Sequence, residues 1–551
     1  MEDKQNGTIS EMHLLIGVGL LFLYKLYTKF TIWWKTWITV PVHQYSLVAV
    51  GLIAINIALI FGWRKLARLR EKNLKEQAVL GKTDDAVYCG ETDDRKSVYI
   101  KTRQRAMHCQ VIGTTNAGKT ESVIIPWAIQ DISQGRGFML IDGKADNSLL
   151  DKLFAYVVKC GRENDLRLFS LGRMKESCQF NPLIGGTAEE ITERVFNAFE
   201  FENPHYRYIQ YEVFGQVLRI FEAAKIVPTF KRVQQVLTNM PLLQETVRTL
   251  PDERLRQWVE RFKTLSPSDR EERTSGLITA IGHFSEGKAA ELFNCETGSI
   301  NIDEALAENQ ILYFQLPVLL SPFLGKAAGK LILQCLQSAV ANRHRSKNKD
   351  KKFFSVFLDD FAEYLYPGFV TILNKSRSAN VGIVFAHQAL GDIQTLGEPI
   401  ANSILTNSNL KIFMRGNDPD SAEYFSKVIG TEGTTKITER QSKSLLSWKK
   451  TGEASVREVE QFAVHPNDFK RKLGVGQAMM LVPHDSGTEL VKIKFPKLPD
   501  IQCTVSIPEV TKNQAKDLSF TKTEESRAAP TEAMARAAIQ TKNTKETEIN
   551  S

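Results

Sequence analysis

The chain has 551 residues, a formal net charge of +8 and 42% apolar residues. That is enough for several folding units and at least one large core, while the basic bias is too small to mark a dedicated nucleic-acid protein by charge alone. Its seven cysteines are scattered, with no CxxC pair and no two histidines at metal-ligand spacing, which excludes a disulfide framework and a structural zinc site and leaves small buried thiols in a reducing compartment.

In chain order, the first features are two apolar segments, HLLIGVGLLFLYKLY from His13 to Tyr27 and YSLVAVGLIAINIALIFGW from Tyr45 to Trp63. The second runs uncharged for about 19 residues, enough at about 1.5 Å per residue to cross roughly 30 Å of hydrocarbon. Lys25 is placed to snorkel, and Trp33, Trp34 and Trp37 follow as an interfacial belt. An acidic leading stretch and the lack of a small-residue cleavage site argue against a signal peptide. The sequence predicts a two-helix transmembrane anchor, about 13–30 and 44–63. The basic stretch RKLARLREKNLK after it predicts a two-span membrane protein with N-terminus and C-terminal bulk cytoplasmic.

From about residue 85, strand-like and helix-like segments alternate, as in an α/β fold with a parallel sheet covered on both faces. Seven short apolar runs are strand candidates: CQVIG, GFMLID, LRLFSL, ILYFQL, FFSVFLD, GIVFA and LKIFM. Between about Thr187 and Asn301 only helical periodicity is present. The expected division is 1–80 for the anchor and a basic juxtamembrane segment, 81–186 with 302–505 for a nucleotide-binding domain, 187–301 for an inserted all-α domain, and 506–551 for a polar, disordered tail.

The stretch Gly113-Thr114-Thr115-Asn116-Ala117-Gly118-Lys119-Thr120 satisfies the phosphate-loop pattern between a strand and a helix. Its glycines let backbone N–H groups close on phosphate oxygens, Lys119 bridges the β- and γ-phosphates of ATP, and Thr120 ligates Mg2+ at a helix N-terminus. The run FFSVFLDDFAEY delivers Asp359 and Asp360 at the end of a strand, Asp359 for the metal and Asp360 to orient the attacking water. Asp142, which ends the GFMLID strand, is a weaker rival for the metal. Gln388, just past the GIVFA strand, could sense the γ-phosphate, and His387 beside it reads as structural.

The ordered set GTTNAGKT, GFMLIDGKADNSLLDKLF, QFNPL, VFLDDFAEY, ILNKSRSANVGIVFAHQAL and FMRGNDPDSAEYFSKVIG resembles the coupling proteins of conjugative type IV secretion, the TraD/TraG group of membrane-bound ATPases, over roughly residues 10–500. The resemblance implies a RecA-like P-loop NTPase core and an all-α insertion that handles DNA or substrate. It also implies a hexameric ring in the bacterial inner membrane that couples a relaxase-bound DNA strand to a secretion channel, driven by ATP hydrolysis. It places a trans-acting arginine at Arg377, with Arg415 as runner-up. The family's second Walker B acid is usually Glu, whereas Asp360 stands here, with Glu363 as a weaker rival for the role. The alternatives are an FtsK-type DNA translocase and a membrane substrate receptor that uses nucleotide only for assembly. The basic run RHRSKNKDKK, Arg343–Lys352, and the aromatic-rich Phe199–Phe214 are weaker pointers to DNA, as the first suits a solvated loop and the second a helical core.

Overall fold

The computed structural model describes residues 5–39, 50, 52–67, 85–201, 203–316, 318–347, 350–444, 447–501, 503–513 and 516–518. The chain divides into two compact units, Met1–Gln77 and Ala78–Ser551.

The first unit contains the helix Gln5–Trp33, which continues into a π-helical turn, Trp34–Thr39. Among the described residues no helix is long and apolar enough to cross a membrane, which overturns the expected two-span anchor and the inner-membrane placement built on it. The helix Gln5–Trp33 takes in Asn6, Ser10 and Glu11 ahead of the apolar run, and Lys25 and Lys29 within and after it. The uninterrupted apolar stretch therefore falls short of the ~20 residues a span requires. Residues 44–49 and 51 of the second segment, and most of the basic stretch after it, lie outside the described residues.

Among the described residues the second unit has thirteen strands: β1 (Ala86–Thr92), β2 (Ser97–Lys101), β3 (Cys109–Ile112), β4 (Phe138–Asp142), β5 (Leu166–Ser170), β6 (Ile311–Gln315), β7 (Phe354–Asp359), β8 (Val381–His387), β9 (Leu410–Met414), β10 (Thr431–Ser444), β11 (Ser447–Phe462), β12 (Gln477–His484) and β13 (Gly487–Lys494). Eleven form one sheet in the order β2-β1-β13-β12-β9-β3-β8-β7-β4-β6-β5. The run from β9 to β5 is parallel and contains all seven apolar segments. The remaining four strands extend it antiparallel from β9. β10 and β11 pair with each other as a separate ribbon.

Side-chain alternation along β4 sets the layers. Met139 and Ile141 enter the larger core, with the helix Pro322–Arg345 and the helical block. Phe138 and Leu140 enter the core on the other face, with the helices Ile125–Ser133 and Asn147–Lys159. Burial on both faces is why these strands read as unbroken apolar runs.

Among the described residues no strand lies between Ser170 and Ile311. Six helices, Ala188–Ala198, Pro204–Ala223, Phe230–Thr238, Met240–Arg248, Glu253–Thr264 and Pro267–Ser285, are capped by the side chains of Thr187, Asn203, Thr229, Asn239, Asp252 and Ser266 respectively. Of the aromatic-rich stretch, Phe199 and Phe214 are buried, Phe199 packing on Phe284 at 5.5 Å, while Tyr208 is exposed. The basic run begins as the last turn of the helix Pro322–Arg345, and residues 348 and 349 lie outside the described residues.

Disorder from residue 506 does not hold for 506–513 and 516–518. Ile507 is buried, Val510 N–H donates to Lys175 O (2.9 Å), Asn513 N–H to Gln179 Oε1 (2.8 Å), and Arg232 donates to Lys516 O (2.8 Å). A polar composition leaves a segment little to bury, but backbone hydrogen bonds to a neighbouring surface fix it all the same. Residues 519–551 lie outside the described residues.

Candidate nucleotide site

The phosphate loop leaves the C-terminal end of β3 and turns back into a helix that begins at Thr120. Gly113 has no room for a side chain, since a Cβ there would meet Met414 Cβ at 2.8 Å, and Gly118 sits at φ +98°. Thr114 N–H is tied to Arg415 O (2.9 Å) and Ala117 O accepts from Gly476 N–H (3.0 Å), so β9 and the turn before β12 support the loop from two sides. Lys119 is buried and donates from Nζ to Gly113 O (2.6 Å) and Thr114 O (3.3 Å). Burial lowers its pKa, and Asp359 and Asp360 act in the opposite sense.

β7 brings Asp359 to the loop. Thr120 Oγ1 donates to Asp359 Oδ2 at 2.7 Å, and Tyr364 O–H to the Asp359 carbonyl at 2.7 Å. Asp359 is 2% exposed, and burial followed by the neighbouring Asp360 pushes its carboxyl pKa up. Asp360 is in the left-handed region (φ 47°), donates its N–H to Asp359 Oδ1 (3.1 Å), and its Oδ2 is 2.8 Å from Lys144 Nζ. A hydroxyl at the start of the phosphate-loop helix beside a strand-end carboxylate is the oxygen donor pair that suits Mg2+.

Asp142, paired in register with Asp359, is otherwise engaged. It accepts from the N–H groups of Lys144 (2.9 Å), Ala145 (3.1 Å) and Asp146 (3.0 Å) and from Tyr313 O–H (3.0 Å), and burial raises its pKa to about 6. Glu363 pairs with Lys326 at 3.3 Å.

Gln388 does reach the loop: Thr115 Oγ1 donates to its Oε1 at 3.1 Å, and its backbone N–H and that of Ala389 both donate to Asp392 Oδ2. Beneath it a buried polar chain crosses three strands. Lys411 Nζ donates to Leu405 O (2.7 Å) and Gln110 Oε1 (3.3 Å), Gln110 Nε2 meets His387 Nε2 (2.9 Å), and His387 Nδ1 meets Ala389 O (2.8 Å). Lysine can only donate, so the Gln110 oxygen faces it and the amide N–H points to His387. His387 is then neutral, with its proton on Nδ1 donated to the carbonyl just after Gln388. Burial agrees, lowering its pKa to about 4.

Arg377 stands apart, in the turn Arg377–Ala379 that leads into β8, at the opposite end of that strand from Gln388. Seven extended residues put about 20 Å between the two ends. Arg415 follows β9, and its carbonyl accepts from Thr114 N–H and Oγ1. Lys144, and the chain from Lys411 through Gln110 to His387, were missed in the sequence. The signal for Lys144 is its place two residues past a strand-ending aspartate.

Burial lowers the Lys411 pKa to about 8. The unfolded chain therefore holds more protons than the folded one between about pH 8 and 10.5, so this group makes stability rise with pH across that window. Subtracting the urea-unfolding free energy of Lys411→Met from that of the wild type should give a difference that climbs from pH 8 to 10; a flat difference would show that Lys411 is not held in this desolvated state.

A family model described as the TraM recognition site of TraD and TraG matches residues 354–471, from β7 through the ribbon. The type 4 coupling protein DotL of Legionella pneumophila subsp. pneumophila (strain Philadelphia 1) is 24% identical over 420 residues, covering 64% of this chain and 53% of that protein. Over these stretches the chain is similar to type IV coupling proteins. The match spans about half the length of that curated relative. In fold, the bacterial conjugative coupling protein TrwBdeltaN70 superposes with a TM-score of 0.56 at 12% identity, covering 78% of this chain and 93% of that one. VirB4 of Thermoanaerobacter pseudethanolicus follows with 0.50 at 11%, covering 76% and 98%. The core thus shares the α/β fold of TrwB, a protein that has been solved with ADP and Mg2+ and with non-hydrolysable GTP and ATP analogues.

Proposed function

We propose that the chain is a type IV secretion coupling ATPase that hydrolyses ATP to move a relaxase-bound DNA substrate toward the secretion channel, working as a hexamer. The observation that carries this reading is the 2.7 Å bond from Thr120 Oγ1 to Asp359 Oδ2, which joins the phosphate loop to the Walker B carboxylate. Lys119 lies buried in the same loop, with β-phosphate and γ-phosphate as its targets once it releases Gly113 O and Thr114 O. Thr120 and Asp359 would hold Mg2+, which when bound would supply positive charge to offset that of the phosphates. Asp360 orients the attacking water, and Gln388, fixed through Asp392 and His387, senses the terminal phosphate and reports its loss. Arg377, remote from the loop of its own chain, is the residue offered to a neighbouring subunit's nucleotide. A secretion-system partner is supported by the coupling-protein relative and by the family match over 354–471, and DNA and relaxase belong to the role proposed.

Purified full-length chain should release phosphate from ATP in a Mg2+-dependent reaction that single-stranded or double-stranded DNA accelerates, and mass photometry with ATP analogue and DNA should show six subunits. Nucleotide binding with no turnover under any of these conditions would overturn the motor in favour of a receptor that uses nucleotide for assembly.

A further inference from the structure

The roles above leave out Lys144, whose Nζ is 2.8 Å from Asp360 Oδ2. We propose that Lys144 is a positioning residue for the hydrolytic step, holding the Asp360 carboxylate in the orientation from which it directs water at the terminal phosphate. The inference rests on the nucleotide-hydrolysing reading of the site.

Both partners are placed by rigid backbone. β4 and β7 are neighbours in register, Asp142 opposite Asp359, so the residues just beyond their ends meet. On the β7 side, Asp360 is held in the left-handed region by its N–H to Asp359 Oδ1 (3.1 Å) and by its carbonyl, which accepts from Glu363 N–H (3.1 Å). Those bonds fix the backbone of Asp360 but not its side chain. On the β4 side, the buried Asp142 carboxylate gathers three successive N–H groups, 144 to 146, with Ala145 at φ 56°. Asp146 then caps the helix Asn147–Lys159 through Ser148 N–H (2.8 Å). The turn is thus clamped at both ends, and Lys144 is the cation it delivers to Asp360.

Stability does not account for the pair. The Asp360 side chain is 11% exposed but that of Lys144 is 55% exposed, and an ion pair with its cation open to water contributes little to folding. A second lysine beside the acids is of use where a carboxylate must point one way while phosphate charge arrives next to it. Asp360, shorter by one methylene than glutamate, has less reach to find that direction unaided.

Lys144→Met should lower kcat for ATP by roughly tenfold to a hundredfold, the scale on which misplacing a reacting group acts. KM for ATP and the melting temperature should stay near wild type, and Lys144→Arg should recover most of the rate. Adding Lys144→Met to Asp360→Asn should cost little beyond Asp360→Asn alone, because the two act as one unit. Wild-type kcat in Lys144→Met, fully additive losses in the double variant, or a raised KM with unchanged kcat would each overturn the proposal. The parallel control is Lys119→Ala. If it is inactive while Lys144→Met turns over normally, only the positioning role fails; if it too hydrolyses ATP at the wild-type rate, the nucleotide reading fails and this inference with it.

Discussion

Lys119→Ala should cut ATP turnover by about 10²- to 10³-fold or more, the loss seen when one preorganised donor to developing charge is removed from a water-poor site. Lys119 is 7% exposed, and its ammonium lies close enough to Asp359 and Asp360 for both to oppose the effect of burial on its pKa. Its present acceptors, Gly113 O and Thr114 O, belong to the loop itself. Exchange of those carbonyls for phosphate oxygens needs only a side-chain movement, and the loop's backbone ties to Arg415 O and Gly476 N–H need not break. The alanine variant therefore keeps the loop but lacks the charge. Its melting temperature should fall only slightly, while Asp359 and Asp360 lose a counter-ion in the folded state. Steady-state phosphate release at saturating Mg2+-ATP, beside a circular-dichroism melt, separates the two effects. Turnover within tenfold of wild type in a folded variant would remove Lys119 from the chemistry.

Features with local causes were the legible ones. The phosphate loop is read from eight consecutive residues because its geometry is set by its own glycines. The seven parallel strands are read from apolar runs because both faces are buried: β4, β7 and β8 have no exposed residue. The antiparallel extension escaped notice because SVYIK and GTELVKIK are half exposed and mix charge with apolar residues. The contacts that steer the site also escaped it. His387 and Gln110 are 277 residues apart and Lys411 and Gln110 are 301 apart, so no spacing in the sequence announces them. The two misreadings share a cause in composition. An apolar run does not fix where its helix starts and stops, and polarity at residues 506–518 does not forbid backbone pairing to a neighbour.

Asp131→Ala should destabilise the second unit by about 3–5 kcal/mol, the usual result of removing one partner of a buried ion pair. Arg105 donates to Asp131 in a bidentate pair, NH1 to Oδ1 at 2.8 Å and NH2 to Oδ2 at 2.7 Å, with both side chains at most 1% exposed. Ser355 Oγ closes the cluster by accepting from Arg105 NH2 (2.8 Å) and donating to Asp131 Oδ2 (2.7 Å). The guanidinium also lies 5.3 Å from the Trp127 ring centroid and 5.0 Å from that of Phe353. Without Asp131 a cation is left in an apolar pocket that offers it ring faces and one hydroxyl. Arg136, 3.6 Å from the same carboxylate, loses its counter-charge as well. The double variant Arg105→Met with Asp131→Leu should recover most of the loss, since an apolar pair of similar volume needs no desolvation of charge. Urea unfolding at constant m reads both. The location gives the cluster its bearing on function: Asp131 is on the helix that continues from the phosphate loop, and Ser355 is on the strand that ends in Asp359. The pair therefore clamps together, from below, the two elements whose upper ends carry Thr120 and Asp359. In Asp131→Ala the KM for Mg2+-ATP should rise along with the loss of stability, whereas in the apolar double variant both should return toward wild type. A variant destabilised to the expected degree with unchanged KM would show that the 2.7 Å contact between Thr120 and Asp359 is held by the loop alone.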